Sequence, residues 1–248
     1  MCFKITRRDT PIGDCLLASL FVHILNDNNI KAFIDNKIQH FKVLDCNYDY
    51  DQNAKVYEFN YENCKSSILQ IAIQIFKKKY NIEKEIKLTR KFVPVNFTKD
   101  SHIPNYDVVM VTKSGFWAPV RNWPYFTELK QRLSELKITW FDLTENKIQN
   151  NDFLNYVHKS KVFVTLETGA SHYASQFVNN QNSLVIQSGY CHNSFWNFYD
   201  YDVISHETQC QGCFITHKAQ CFNGQKCMKN INVELVLNKI LEKLNVKI

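Results

Sequence analysis

Four residues in the second half of the chain have the types and spacing to bind an anion. They are Glu167, Thr168, Gly169 and His172. They follow an apolar run, Val162–Leu166, that is typical of a buried strand, and they precede a predicted helix. A strand that passes into a helix through a short turn leaves free backbone N–H groups at the positive end of the helix dipole, where proteins bind phosphate. An ordinary strand–helix junction capped by Thr or Ser fits the same residues, so both interpretations stay open.

Two charged residues lie close to other predicted helix starts. Arg121 precedes Trp123-Pro124, where its charge opposes the helix dipole, and a bound phosphate would explain that position. A solvent-facing arginine on a loop is the alternative. Asp14 follows Gly13 at the start of a Leu-rich helix. Its carboxylate could take the proton of an attacking hydroxyl, or it could serve only as the helix cap.

Four of the nine cysteines are clustered near the carboxyl terminus, at Cys210, Cys213, Cys221 and Cys227. Four thiolates at such spacing can form a tetrahedral site for zinc or iron. Reduced thiols and local disulfides are the alternatives, although disulfides are disfavoured in a reducing compartment. The other five cysteines are scattered and typical of small buried apolar residues: Cys2, Cys15, Cys46, Cys64 and Cys191.

Composition indicates a folded globular protein of one or two domains, since 45% of the 248 residues are hydrophobic and 22% are charged. The net charge of +6 is a mild bias towards anionic partners. We expect no nucleic-acid partner, because Lys77–Lys79 is the one basic run that stands out and no recognition motif is present. No signal peptide and no apolar run of about 18–20 residues is visible, so we expect a soluble, cytoplasmic protein, with peripheral contact to the inner membrane as an option.

The elements that position these residues follow from hydrophobic periodicity. In the first half we predict four strands, at Phe3–Thr6, Ile30–Ile34, Lys42–Leu44 and Lys55–Phe59. We predict one helix from Asp14 and another at Ile68–Phe76, with further extended pieces at Ile86–Leu88 and Phe92–Val95. In the second half we predict strands at Val108–Val111, Ile138–Leu143, Lys161–Leu166 and Ser183–Ile186. The helices predicted between them start at Phe126 or cover Asp152–His158 and Ser171–Val178, and a last helix starts at Val233. This βαβαβαβ order predicts a parallel sheet covered by helices.

Together the motifs resemble glycosyltransferase family 9, the heptosyltransferases of lipopolysaccharide and related glycan assembly. The Gly13-Asp14 loop is similar to the amino-terminal motif of that family, and Arg121-Asn122-Trp123-Pro124 is similar to its K/R-x-W-P segment. The segment from Glu167 to His172 resembles its D-T-G-x-x-H segment, and the run from Cys210 to Cys227 resembles the cysteine-rich tail of many members. Residues 30–105 carry no matching motif.

The resemblance implies an α/β, GT-B-like fold with two Rossmann-like domains whose parallel sheets face each other across a cleft. Residues 1–104 would form a reduced, acceptor-side domain, and residues 105–248 would bind the nucleotide sugar. The implied reaction is an inverting transfer of a sugar without a catalytic metal, with heptose as the expected sugar and ADP-heptose as the expected donor. The acceptor would be a hydroxyl of an anionic glycolipid, a polysaccharide or a protein, and an oligomer is compatible with the family.

The resemblance also implies roles for single residues. Asp14 would be the general base, and Arg121 would hold the diphosphate. The other donor-binding candidates are Lys113, Ser114, Glu167, Thr168, Gly169 and His172, with Thr168 and Gly169 acting through their backbone N–H groups. A structural zinc or iron ion would be held by Cys210, Cys213, Cys221 and Cys227.

Three departures from the family pattern leave other functions open. The amino-terminal half is short, Glu167 stands where the family has Asp, and residues 116–120 lengthen the loop before Arg121. One alternative is a catalytically weakened module that binds nucleotide sugars or serves in assembly. Another is a metal-thiolate regulatory protein whose function centres on the cysteine cluster.

Overall fold

The computed structural model describes residues 2–6, 12–35, 53–59, 67–89, 102–116, 118–148, 150–174, 182–192 and 202–246. The chain divides into two compact units. The first consists of residues 1–96 with 194–199, and the second of residues 97–193 with 200–248. The division predicted from the sequence, after residue 104, lies eight residues beyond this boundary and does not include the short segment 194–199 in the first unit.

The first unit contains a three-stranded parallel sheet in the order β2-β1-β3. Its elements are β1 (Cys2–Thr6), α1 (Ile12–Asp27), β2 (Lys31–Ile34), β3 (Lys55–Glu58) and α2 (Ile68–Tyr80). Aromatic rings join the sheet to both helices. The ring of Phe76 on α2 lies 4.8 Å from Phe3, 5.5 Å from Phe21 and 5.0 Å from Tyr57, all in edge-to-face contacts. Such pairs add to the free energy gained by burial.

Several predictions for the first unit are confirmed, and three need correction. Strands occur near Phe3–Thr6, Ile30–Ile34 and Lys55–Phe59, but α1 begins at Ile12 instead of Asp14, and α2 continues through its lysine run to Tyr80. Lysines favour the last turn of a helix, where they face the negative end of the dipole.

The predicted extended piece at Ile86–Leu88 is not a strand. The side chain of Asn28 satisfies the backbone there instead: its Nδ2 donates to the Lys87 carbonyl at 2.9 Å, and the Lys87 N–H donates to its Oδ1 at 3.0 Å. The predicted strands at Lys42–Leu44 and Phe92–Val95 lie outside the described residues.

The second unit contains a five-stranded parallel sheet in the order β5-β4-β6-β7-β8. The strands are β4 (Val108–Val111), β5 (Trp140–Asp142), β6 (Val162–Leu166), β7 (Ser183–Gln187) and β8 (Asp202–Ser205). The helices are α3 (Phe126–Glu135), α4 (Asn150–Lys159), α5 (Gly169–Ala174), α6 (Lys226–Lys229) and α7 (Val233–Leu244), with short 3-10 helices at Pro119–Arg121 and Lys218–Gln220. The predicted βαβαβαβ order is confirmed, whereas β8 was not predicted.

Alternating residues of β4 enter two cores, one on each face of this sheet. Val108 and Met110 pack in the core that contains residues of α3 and α7. Val109 and Val111 pack on the opposite face with Val157 of α4. Helices therefore cover both faces, as the composition of these fully buried strands requires. The predicted α/β class with parallel sheets and a reduced amino-terminal unit is confirmed.

The strand order defines where this sheet can bind a ligand. After β4 the chain moves to β5 on one side, and it then crosses to β6 on the other side of β4. In open α/β sheets, ligands bind outside the carboxyl ends of the strands at the point where the order reverses. In this unit that point lies between the ends of β4 and β6. In the described ranges, no helix has the length and apolar composition needed to cross a membrane.

Candidate functional site

Arg121 lies at the reversal point of the sheet and connects the ends of β4 and β6. Its side chain is 6% exposed, at the end of the 3-10 helix Pro119–Arg121. Its Nη1 donates a hydrogen bond of 2.8 Å to the backbone carbonyl of Glu167, the first residue after β6. Its guanidinium carbon lies 5.0 Å from the centre of the Tyr190 ring, which follows β7. The structure thus places a buried positive charge where an anionic ligand of this fold would bind.

The loop that carries Arg121 is closed by internal hydrogen bonds. The N–H of Ser114 donates to the Asn122 side-chain oxygen at 2.7 Å, and the Ser114 hydroxyl donates to the Ala118 carbonyl at 2.7 Å. Trp123 of the predicted Trp-Pro motif is buried, and its indole N–H donates to the Ile231 carbonyl at 2.8 Å. Lys113 is exposed beside Ser114. Lys113, Ser114 and Arg121 therefore belong to the same connection after β4, whose described residues are joined by these hydrogen bonds.

The turn from Glu167 to His172 is organised by its own side chains. The Ser171 hydroxyl donates to the Thr168 carbonyl at 2.7 Å, and the N–H of Ala170 donates to the Thr168 hydroxyl at 3.2 Å. The N–H of Thr168 points to the Ser171 hydroxyl at 3.3 Å. Helix α5 begins at Gly169, whereas the sequence predicted a start at Ser171. Within the described part of the chain, the Gly169 N–H makes no backbone hydrogen bond outside its helix, so it is better placed than Thr168 to meet a ligand.

His172 is buried beside Arg121. Burial, and secondarily the charge of Arg121, lowers the pKa of the His172 imidazole to about 3. The ring is therefore neutral throughout the physiological pH range. It can donate or accept a hydrogen bond, but it adds no positive charge for a phosphate.

Glu167 contacts a cysteine that the sequence did not single out. Cys191 is 1% exposed, and its thiol has a raised pKa because it is buried and because it lies next to the charge and hydrogen-bonding oxygens of Glu167. Arg121 and Cys213 also act on the same thiol. Among the scattered cysteines Cys191 looked like a small apolar residue, but its place in the fold connects Glu167 with the cysteine cluster.

The four clustered cysteines line one small cavity together with residues that follow β7. All four carry free thiols. Contacts with the Thr208 hydroxyl and the Asn223 amide lower the pKa of the Cys210 thiol, whereas burial raises the pKa of Cys213 and Cys227.

This donor set suits zinc or iron chemically, because thiolates are the preferred ligands of structural sites of both metals. The side-chain positions do not yet form a coordination sphere: among the residues described, no group of three or more His, Cys, Asp or Glu side chains could hold a metal ion.

The cysteine cluster packs directly against the segment before Arg121. The amide Nε2 of Gln225 donates to the Val120 carbonyl at 2.9 Å, and the N–H of Gln225 donates to the Cys221 sulfur at 3.3 Å. On the other side, a Cβ added at Gly189 would lie 3.3 Å from the Cβ of Cys227, so glycine permits this close approach. The cysteine cluster therefore contacts both Val120, the residue before Arg121, and Gly189, which follows β7.

Asp14 lies in the first unit, as the third residue of α1. Its side chain is outside the described residues, and its role stays a prediction.

Comparison with known proteins identifies the fold. No protein-family model and no curated protein sequence matches the chain. Solved structures do match. The iron-containing dodecameric glycosyltransferase TibC from enterotoxigenic E. coli H10407 has a TM-score of 0.70 at 13% identity, over 98% of this chain and 76% of that chain. TibC has also been solved in complex with ADP-D-beta-D-heptose.

Two further structures match over almost their whole length. The glycosyl transferase family 9 protein from Veillonella parvula DSM 2008 has a TM-score of 0.65 at 11% identity, over 98% of this chain and 97% of that chain. ADP-heptose lps heptosyltransferase II of E. coli has a TM-score of 0.62 at 12% identity, over 99% of both chains. The resemblance predicted from the motifs is thereby confirmed at the level of the fold: this chain has the GT-B-like fold of the family 9 heptosyltransferases.

Proposed function

We propose that this protein is an inverting glycosyltransferase that transfers heptose from ADP-heptose to a hydroxyl of a glycolipid, a polysaccharide or a protein. The observation that carries the proposal is the buried guanidinium of Arg121 at the reversal point between β4 and β6. The fold is that of glycosyltransferases, and a structural neighbour binds ADP-D-beta-D-heptose. Arg121 is also the residue that the motif comparison assigns to the diphosphate.

The chemistry requires stabilisation of a departing diphosphate. When the glycosidic bond to the nucleotide breaks, negative charge develops on the diphosphate oxygens. Without a catalytic metal, fixed donors must stabilise that charge. Arg121 offers a planar, permanently charged fork, Lys113 is a mobile ammonium at the loop start, and Gly169 offers a backbone N–H. His172 is neutral and would orient the sugar or a phosphate by hydrogen bonding.

The acceptor hydroxyl must lose its proton as it attacks the anomeric carbon. In the proposal Asp14 accepts this proton, since a carboxylate is ionised at neutral pH and suits a general base. Attack from the side opposite the leaving diphosphate inverts the anomeric configuration.

Donor binding is tested by thermal unfolding with ADP-, GDP-, UDP- and CMP-sugars. A ligand at about 100 times its dissociation constant adds about 2.7 kcal/mol to the free energy of unfolding, which gives a clear shift in the melting temperature. We expect ADP-heptose to give the largest shift, and ADP alone a smaller one. If none of the four nucleotide classes shifts the transition, the proposed function is wrong.

A binding or assembly module without transferase activity is the second candidate. It is favoured by the environment of Glu167, whose side chain is 1% exposed and engaged with Cys191. Stable ADP-heptose binding with neither transfer nor donor hydrolysis, for any glycolipid, polysaccharide or protein acceptor, would support this candidate over the first.

We further propose that the cysteine cluster holds a structural zinc or iron ion. Bound through thiolates, the ion would cross-link the carboxyl-terminal segment to the residues after β7. The proposal is supported by the common cavity of the four free thiols, and TibC is an iron-containing protein of the same fold. The sulfurs would have to move closer together to bind the ion, because the described arrangement is not a coordination sphere.

Elemental analysis of the purified protein is expected to give about one zinc or iron per chain, and Cys213→Ser is expected to reduce this ratio. Removal of the ion by a chelator should lower the melting temperature, because binding to the folded state alone stabilises it. Cys15→Ser, which changes a buried cysteine in the first unit, is the matched control and should retain the metal. Four free thiols and no metal in the untreated protein would contradict the proposal.

A further inference from the structure

Asp142, which the sequence did not single out, is the centre of a buried polar network beside the proposed donor site. It ends β5 and has no exposed surface. One carboxylate oxygen, Oδ2, accepts from Lys130 Nζ at 2.5 Å and from the Thr112 hydroxyl at 2.7 Å. The other oxygen, Oδ1, accepts from the N–H of Thr144 at 2.9 Å and that of Glu145 at 3.4 Å.

These contacts leave the carboxylate no capacity for a ligand. A carboxylate has about four acceptor positions, and all are used by groups of the protein. An acidic residue after an early strand of a nucleotide-binding sheet commonly contacts a ribose hydroxyl. Asp142 is too buried and too well satisfied for that role, so its function must be exerted through its protein partners.

Two partners of Asp142 flank the proposed donor loop. Thr112 is the first residue after β4, and Lys130 lies on α3, the helix that follows the loop. Between them lie Lys113, Ser114 and Arg121. The N–H of Thr112 also donates to the Thr144 hydroxyl at 3.1 Å, which joins this end of the loop to the turn after β5. One buried carboxylate thus binds the start of the loop and the helix that follows the loop.

The buried charge of Asp142 is paired with a cation inside the protein. Lys130 pairs with Asp142 and, at 2.8 Å, with Glu145. Burial lowers the pKa of the Lys130 ammonium, but hydrogen bonds to both carboxylates outweigh this and raise it overall. The ion pair therefore persists at neutral pH. Removing one partner of a buried pair leaves the other charge uncompensated, which strongly destabilises the folded state.

We propose that Asp142, with Thr112 and Lys130, is a positioning residue that holds the loop from Thr112 to Arg121 in the conformation that binds the donor diphosphate. The part of this inference that concerns donor binding rests on the proposed function. The anchoring of the loop can be measured without any ligand.

The sharpest test is the pair Thr112→Val and Thr112→Ser. Valine has the shape of threonine but lacks the hydroxyl that donates to Asp142, whereas serine retains it. The chain supplies a matched control in Thr139, whose hydroxyl donates to Asp107 Oδ2 at the same distance of 2.7 Å. This second Thr–Asp pair joins the amino ends of the same two strands, far from the proposed site along the sheet. Thr139→Val therefore removes a Thr–Asp hydrogen bond of the same length, at an exposed position, without touching the loop.

Two measurements are made on each variant. The first is amide hydrogen exchange of residues 112–116, 118, 120 and 121 without ligand, and the second is the dissociation constant of ADP-heptose by calorimetry. Loss of a hydrogen bond to a charged group is expected to weaken donor binding about tenfold in Thr112→Val and to speed exchange in the loop. Thr112→Ser should resemble the unchanged protein in both measurements. Thr139→Val should lower the melting temperature but leave loop exchange and donor affinity unchanged.

The outcomes separate this inference from the proposed function. Unchanged loop exchange and unchanged donor affinity in Thr112→Val would overturn the inference, and so would equal effects of Thr112→Val and Thr139→Val. If the unchanged protein binds no nucleotide sugar, the proposed function fails. In that case faster loop exchange in Thr112→Val alone would still support the anchoring role of Asp142.

Discussion

Replacing Asp14 with Asn is expected to lower the turnover number by a factor of about 10² to 10⁴, the usual contribution of a general base. Asparagine has the same shape but cannot take the proton of the acceptor hydroxyl. Donor affinity should stay within about twofold, because the role assigned to Asp14 concerns the acceptor. Single-turnover transfer assays and calorimetry with ADP-heptose measure the two quantities separately.

The same change has a small structural cost that must be separated from catalysis. Asp14 lies in the first turn of α1, where a negative charge favours the helix dipole by about 0.3–1 kcal/mol. The control is Asp27→Asn at the other end of the helix, where Asp27 accepts a hydrogen bond of 2.7 Å from Thr89. It should leave turnover unchanged. Transfer that survives Asp14→Asn at the original rate would show that another group is the base.

Replacing Arg121 with Met is expected to weaken ADP-heptose binding about a hundredfold, because the change would remove the buried charge proposed to bind the diphosphate. Turnover should fall as well, by about 10² to 10³, since the same guanidinium would stabilise the departing diphosphate. Arg121→Lys should give an intermediate loss: a lysine keeps the charge but not the planar fork. Titration calorimetry and steady-state kinetics check both effects.

Arg132 on α3 provides the control for this change. It is an exposed arginine of the same unit, paired with Glu234 at 2.5 Å and Glu135 at 3.4 Å. Exposed pairs contribute about 0–1 kcal/mol, so Arg132→Met should change neither donor affinity nor turnover. Because Arg121 also bonds to the Glu167 carbonyl, the melting temperature of each variant is needed. A folded Arg121→Met variant with unchanged donor affinity would remove Arg121 from the diphosphate site.

The sequence alone determined most local elements of the second unit, although not β8, and pointed to the fold. Strand Val108–Val111 was predicted with its observed ends, and the alternation of strands and helices was correct. These features depend on local hydrophobic periodicity, which can be identified in the amino-acid sequence itself. The ordered motifs from Asp14 to Cys227 pointed to family 9, although no family model detects the chain. Predictions failed where a tertiary contact replaced the expected pairing, as at Ile86–Leu88, where the Asn28 side chain binds the backbone.

Only the tertiary structure decided which distant residues meet. Arg121 donates to the Glu167 carbonyl because β4 and β6 are neighbours although β5 lies between them in sequence. Cys191 interacts with both Glu167 and Cys213 for a similar reason, since residues after β7 line one cavity with the clustered cysteines. Asp142 looked like one more polar residue at a strand end. Strand order and register select such partners, and apolar periodicity encodes burial but not which strand lies beside which.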